Sequence, residues 1–410
     1  MKAFTLVVAL LGAPVVGSVL YLLLLAIASC YHRPARARNV PRHSLAVLIP
    51  AHDEAEMIAR CVRSFKEQGY PRGLFKVVVV ADNCRDATAN VAAAAGAEVM
   101  VRVQPDSPGK GQALRWAMDR VLKEASPPDA IVVVDADSMV EVHFLAELEA
   151  HLQVGSQLVQ ADDLVLPEPQ SLRSVLEATA LLLRNRVRFA GRAVLKLPAS
   201  LCGNGMLLSR KVLEQHPWNA FTVTEDGEYS IALRYAGVKT TFAQNARVHA
   251  APTSGEVGAY TQGLRWEAGR FALLRRWFRP LLSAIVLHGR VNLIDLLVDL
   301  AVPPLGMLAT VATAGTIVGA GLVAAGLIAP WAVLPWALAT IGLPIYVIVG
   351  LRGTRAPRAF YRALLLAPLF MARKVRIYAA LLRGAGGVQT WTRTQRPAEV
   401  EEQRIRAIKS

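Results

Sequence analysis

The sequence predicts an α/β protein with a mostly parallel sheet, joined to transmembrane and interfacial helices. Two uncharged tracts, residues 3–31 and 300–351, flank the middle of the chain. Between them short β-branched runs alternate with helical patterns. Charge is also scarce: 53% of residues are apolar and 19% charged, where a soluble domain carries about a quarter charged.

The 410 residues allow roughly two or three domains. The first tract exceeds the roughly 20 residues that cross a bilayer and the ~7–15 of a signal-peptide core, so residues 1–32 are expected to be an uncleaved anchor. Ile27-Ala28-Ser29-Cys30 does look like a lipoprotein cleavage box. Arg33, Arg36, Arg38 and Arg42 follow directly, which places the next segment, 33–266, in the cytoplasm. The second tract is long enough for a hairpin of two spans, 301–351, broken near Ala329-Pro330. Arg352, Arg355 and Arg358 return the chain to the cytoplasmic side. Residues 267–300 mix Phe271, Leu274, Trp277 and Phe278 with Arg270, Arg275, Arg276 and Arg279, and read as interfacial amphipathic helices. Residues 352–410 read as an interfacial helix and a cytoplasmic C-terminal segment. The expected location is the cell membrane, multi-pass, with the middle domain cytoplasmic.

The net charge of +15 suits nucleic acid, anionic lipid or phosphorylated small molecules. It concentrates beside the apolar tracts, so lipid headgroups account for much of it and no nucleic acid is expected. Four scattered cysteines without a C-x-x-C pair argue against a disulfide framework or structural zinc.

Leu45–Pro50, Lys76–Ala81 and Ala130–Val134 read as buried strands, while Glu98–Val103 alternates like a strand nearer an edge. Helices are expected over about 55–68, 86–95 and 111–124. In such sheets ligands bind beyond the carboxyl ends of the strands. There the chain places His52-Asp53-Glu54, Asp82-Asn83-Cys84 and Asp135-Ala136-Asp137. The absence of G-x-G-x-x-G after the first strand removes the main support for a dinucleotide oxidoreductase.

Asp135 and Asp137 form a D-x-D, a common solvated turn in isolation. At a strand end it can hold a hard divalent cation, Mg²⁺ or Mn²⁺, completed by substrate phosphates. Lys110, after Gly109 and at a helix start, is either a phosphate contact or an exposed turn lysine. Thr222 or Thr224 is the expected N-cap of a helix with Asp226 in its first turn and Glu225 beside it. Helix polarity there stabilises an ionised carboxylate, as it does at any acidic helix start. Gln262, Arg265 and Trp266 share one helical face. They suit a sugar nucleotide, and equally a basic interfacial helix with a Trp anchor.

In order, the chain reads PAHDE, ADNCRDAT, GKGQAL, DAD, CGNGM, TED and QGLRW. Together these resemble the membrane-integrated family 2 glycosyltransferases of the GT-A fold, the branch with cellulose, chitin and hyaluronan synthases, over about residues 44–270. The resemblance implies a metal-dependent, inverting hexosyl- or N-acetylhexosaminyltransferase in polysaccharide biosynthesis. It implies that Glu54, Asp82, Lys110, Asp135 and Asp137 bind the nucleotide sugar, with Asp137 and Asp135 on Mg²⁺ or Mn²⁺. Asp226 would be the catalytic base with Glu225 beside it. Gln262, Arg265, Trp266, Gly203 and Asn204 would serve the diphosphate and acceptor. Trp391-Thr392-Arg393-Thr394 resembles a segment that folds back near the site. The first turn departs from the usual Asn-Glu by reading His52-Asp53-Glu54, and Asn83-Cys84 replaces a Gly-Ser-type turn. His249 is expected to be a non-ligating histidine. The donor is expected to be UDP-linked and the acceptor a growing polysaccharide; a single sugar passed to a membrane lipid, as in ceramide glucosyltransferases, is the alternative. Three spans are few to enclose a conduit, so a homo-oligomer or export partner is a further expectation.

Overall fold

The computed structural model describes residues 2–34, 40–167, 171–251 and 255–368, with Met371, Val375, Tyr378 and Ala379. The 391–394 segment and most of the expected C-terminal region lie outside the described residues. The helices are α1 Lys2–Ser29, α2 Ile58–Lys66, α3 Thr88–Ala95, α4 Lys110–Val121, α5 Phe144–Gln153, α6 Leu172–Leu182, α7 Arg188–Val194, α8 Arg210–Gln215, α9 Glu225–Tyr235, α10 Gly255–Val286, α11 Ile294–Ala301, α12 Leu305–Ala324, α13 Leu334–Gly353 and α14 Arg358–Ala363. The strands are β1 Leu45–Ala51, β2 Phe75–Asp82, β3 Glu98–Arg102, β4 Ala130–Val133, β5 Ser138–Val140, β6 Leu158–Val165, β7 Met206–Ser209 and β8 Thr240–Ala250.

Two compact units emerge. One gathers residues 33–166 and 198–296; the other gathers 1–32, 167–197 and 297–385. Pro167–Leu197, inside the stretch expected as one cytoplasmic domain, therefore groups with the apolar helices. The α10 helix runs without a break across the expected 266/267 boundary.

The first unit is built on an eight-stranded sheet of order β3-β2-β1-β4-β7-β6-β8-β5. Strands β3, β2, β1 and β4 are mutually parallel, and β6 pairs parallel with β8. Strand β7 is antiparallel to both neighbours, and β5 is antiparallel to β8. The β-branched runs are buried on both faces. Val47, Ile49 and Val132 pack on Ile58, Phe65 and Phe144, while Leu48, Val80 and Val133 pack on Leu114, Met118 and Trp218. Each such side chain contributes about 1.5–3 kcal/mol of burial. The alternating run became β3 at the edge, with Val101 exposed.

Helix α2 starts three residues later than expected, because Met57 N donates to Glu54 O in a turn. Thr224 precedes α9, yet its side chain makes no capping bond. It lies instead against Gly269 of α10, where any β-carbon would meet it.

In the second unit, Lys2–Ser29, Leu305–Ala324 and Pro330–Gly353 are long and apolar enough to cross a membrane. Leu10, Leu20, Ile317, Val318 and Ile341 keep apolar surface exposed. Small residues let the helices approach closely: Gly342 faces Val19, and Gly12 faces Trp336, whose Nε1 donates to Val8 O. Arg188 and Arg192 both pair with Asp299.

Candidate active site

The site forms where the central strands end. After β4 the chain leaves the centre of the sheet for β5 at the far edge, beyond β7, β6 and β8, and Asp135–Asp137 is the connection. The loop leading into β7 lies beside it: Gly205 N donates to Val133 O at 2.9 Å, and Ala161 N donates to Gly205 O at 2.8 Å. Positive backbone angles at Gly203 and Gly205 (φ +82° and +69°) shape this loop. At Gly205 a β-carbon would fall 2.7 Å from that of Ala161.

Lys110, the first residue of α4, reaches into the centre. Its Nζ lies 2.6 Å from Asp135 Oδ1 and 3.6 Å from Glu225 Oε1, and donates to Gly203 O at 2.9 Å. Asp226, in the first turn of α9, sits against the same loop: a β-carbon on Gly203 would be 3.1 Å from Asp226 Oδ2 and 3.3 Å from Lys110 Nζ. The lysine thus ties the D-x-D to the Glu225-Asp226 pair.

Electrostatics follow from that crowding. Burial pushes the Asp135 carboxyl up, Lys110 opposes this, and Asp137 and Asp226 add to it. Burial, again opposed by Lys110 and reinforced by Asp226, raises Glu225 to about 7. The Lys110 ammonium is held charged against its own burial by Asp135, Glu225 and Asp226. Burial lowers Arg265 while Glu225 raises it, so the QGLRW arginine shares this field.

Helix α10 delivers that arginine. Gly269 accommodates Thr224, Gly227 faces Leu273, and Arg276 pairs with Glu228. Gln262 and Arg265 are half-buried and Trp266 is exposed.

Other expected residues sit nearby in less open settings. Asp82 is buried and its carboxylate is bound by Arg102, which also donates to Ser107 O. Glu54 is half-buried at the end of β1, with its N–H donating to Thr88 Oγ1 at 2.8 Å. Asn204 is buried and its side chain is spent on the loop. Its Oδ1 accepts from Asp135 N at 3.1 Å, and its Nδ2 donates to Ser138 Oγ at 3.0 Å and Asp163 Oδ1 at 2.9 Å. Burial pushes the Asp163 carboxyl well above the usual range. His249 Nε2 lies 3.0 Å from Glu141 Oε1.

Sequence reading missed Arg102, Gln160, Asp163 and Ser138. Each is a polar residue in or beside a strand; Gln160, Asp162 and Asp163 interrupt the otherwise apolar β6.

The donor set suits a divalent cation: among the described residues, Lys110 interacts with Asp135, Glu225 and Asp226, Arg265 with Glu225, and Asp137 adds a further carboxylate beside Asp135, all hard oxygen. Among the described residues, the group of metal-binding type whose ligand atoms all lie within 4.8 Å of one another is a different one, Asp53, Cys84 and Asp86. They also order the β1 and β2 turns: Asp53 Oδ1 accepts from Arg85 N at 2.7 Å, and Asp86 Oδ2 accepts from Ala55 N at 3.1 Å.

Comparison with known proteins adds the following. The family described as "Glycosyltransferase like family 2" matches residues 41–269, more than half of the chain. A curated relative, the low-salt glycan biosynthesis hexosyltransferase Agl6 of Haloferax volcanii, is 32% identical over 122 residues. The match spans 28% of this chain and 28% of that relative's length. Among solved structures, a mannosyltransferase of Pyrobaculum calidifontis in complex with GDP-Man and Mn²⁺ is 20% identical, with a TM-score of 0.49 over 84% of this chain and 96% of that one. Glucosyl-3-phosphoglycerate synthase of Mycobacterium tuberculosis, in complex with Mn²⁺, UDP and phosphoglyceric acid, is also 20% identical, with a TM-score of 0.34 over 53% of this chain and 73% of that one.

Proposed function

The chain belongs to glycosyltransferase family 2, and from that premise we propose that it is a membrane-held, inverting transferase of the cellulose, chitin and hyaluronan synthase type. It moves a hexosyl or N-acetylhexosaminyl group from a UDP-linked donor to a growing polysaccharide at the cytoplasmic membrane face. One observation carries this reading: Lys110 joins Asp135 to Glu225 while Gly203 lies against both Lys110 and Asp226. Donor-side and base-side groups therefore meet around one loop.

Glu54 and Asp82, at the tips of β1 and β2 with Arg102 paired to Asp82, would contact the nucleotide. A divalent cation held by Asp137 and Asp135 would neutralise charge on the donor diphosphate. Asp226 is half-buried in the first turn of α9. It takes the proton of an acceptor hydroxyl as that oxygen bonds the anomeric carbon. The bond from that carbon to the diphosphate oxygen breaks on the opposite face, and the nucleoside diphosphate leaves. Lys110 and Arg265 supply fixed positive charge for the leaving group. Glu225, buried and paired with Lys110, orients the lysine.

A second acceptor reading has its own support. Helix α10 exposes Trp266, Phe271, Phe278 and Leu282, an apolar surface fitting transfer of one sugar to a membrane lipid. Detergent-purified protein given radiolabelled nucleotide sugars with Mg²⁺ or Mn²⁺ separates the two. A ladder of products supports the polysaccharide; a single glycolipid spot supports the lipid acceptor. No diphosphate release from any donor would refute transferase activity.

A further inference from the structure

We propose that Gln160 is a positioning residue for sugar transfer, acting through the Cys202–Asn204 loop on Lys110 and on the D-x-D. This rests on the glycosyl-transfer reading above. Gln160 lies within β6, fully buried (0% exposed), paired across the sheet with Met206 of β7 and Phe242 of β8. Burying an amide in such a sheet is costly unless its hydrogen bonds are made. Here they are. Nε2 donates to Asn204 O at 2.8 Å and to Ala161 O at 3.0 Å, and Oε1 accepts from Cys202 N at 2.9 Å.

One side chain therefore grips the main chain on both sides of Gly203. That glycine presents its carbonyl to Lys110 Nζ and lies against Asp226. The next residue, Asn204, holds Asp135 N and Ser138 Oγ. A second tether, Leu201 N donating to Ser230 Oγ at 3.0 Å, ties the loop's start to α9. The amide's geometry is thus transmitted to the lysine, the D-x-D backbone and the floor beside the base, with no contact of its own to them. A displacement of about 1 Å in such groups can cost roughly 10²-fold in rate.

The full chain in detergent provides the test, with Gln160→Met, which keeps length and removes all three bonds. We expect a cooperative melt and binding of the donor's free nucleoside within about threefold of wild type, because Glu54 and Asp82 stand at the ends of β1 and β2 and not on the loop that Gln160 holds. Diphosphate release should have kcat lowered about 10–100-fold. Gln160→Glu is the second variant. Its ionised form would set an oxygen against the carbonyls of Asn204 and Ala161, whereas its protonated form restores a donor. Its activity relative to wild type should therefore rise as pH falls from about 8 to 6. A folded Gln160→Met with kcat within twofold of wild type would overturn the role, as would nucleoside affinity falling in step with kcat. If Gln160→Met fails to fold, a pH-independent ratio for Gln160→Glu overturns it. A wild type that releases no diphosphate from any donor is a distinct result, removing the transfer reading and this role with it.

Discussion

Lys110→Met removes one ammonium and keeps its stem, leaving Asp135 and Glu225 without the cation now 2.6 and 3.6 Å away. Breaking a buried ion pair from one side costs about 3–5 kcal/mol. The Asp135 side chain keeps 36% of its surface in water, against 9% for Glu225, so solvent screens part of the loss and about 2 kcal/mol is expected. In a domain of 150–250 residues, about 1 kcal/mol moves Tm by roughly 2–4 °C, so the variant should melt about 4–8 °C lower. The penalty belongs to ionised carboxylates. Both groups already lie above their usual range, and without the ammonium they rise further. The gap is therefore full near pH 8 and narrows towards pH 5 as the carboxyls take up protons. Thermal unfolding of the metal-free chain at both pH values is the assay. Equal melting at pH 8, or a gap unchanged at pH 5, would refute the reasoning.

Glu225, raised from its usual 4.5 to about 7, binds its proton more tightly folded than unfolded, so its contribution to stability declines as pH rises from about 4.5 to 7. Denaturant unfolding of Glu225→Gln should lose that decline, worth at most about 3 kcal/mol, across the same window. Gly203→Ala would force a β-carbon at φ +82° to within 3.1 Å of Asp226 Oδ2. It should cost about 1–2 kcal/mol in stability and lower kcat with donor affinity retained, as read by steady-state kinetics beside a melt.

Much of the fold was legible because burial on both faces demands continuous apolar runs. Val77–Val80 and Ile131–Val133 could be little else, and the alternation at 98–102 marked the edge strand. The acidic ends of those strands followed from the parallel topology. What the sequence could not show was where antiparallel β7 would enter. Its insertion between β4 and β6 brings Gly203 and Asn204 over the D-x-D. Asn204, expected to serve the diphosphate and acceptor, is buried against Gln160 and Asp163 of β6. Long-range pairing of this kind leaves only a faint local trace, here a polar interruption within β6. The Asp82–Arg102 pair joins the ends of neighbouring strands, and its register becomes evident only once β2 and β3 are aligned. Thr224 takes the expected N-cap position of α9, but without a side-chain capping bond, for a similar reason: α10 packs Gly269 against that threonine.

Asp226→Asn, compared with wild type on a turned-over donor, tests the central claim most directly. Removing the proton acceptor while keeping its shape should lower transfer about 10²–10⁴-fold, with nucleoside diphosphate affinity unchanged. An Asp226→Asn enzyme that transfers sugar at the wild-type rate would contradict the account.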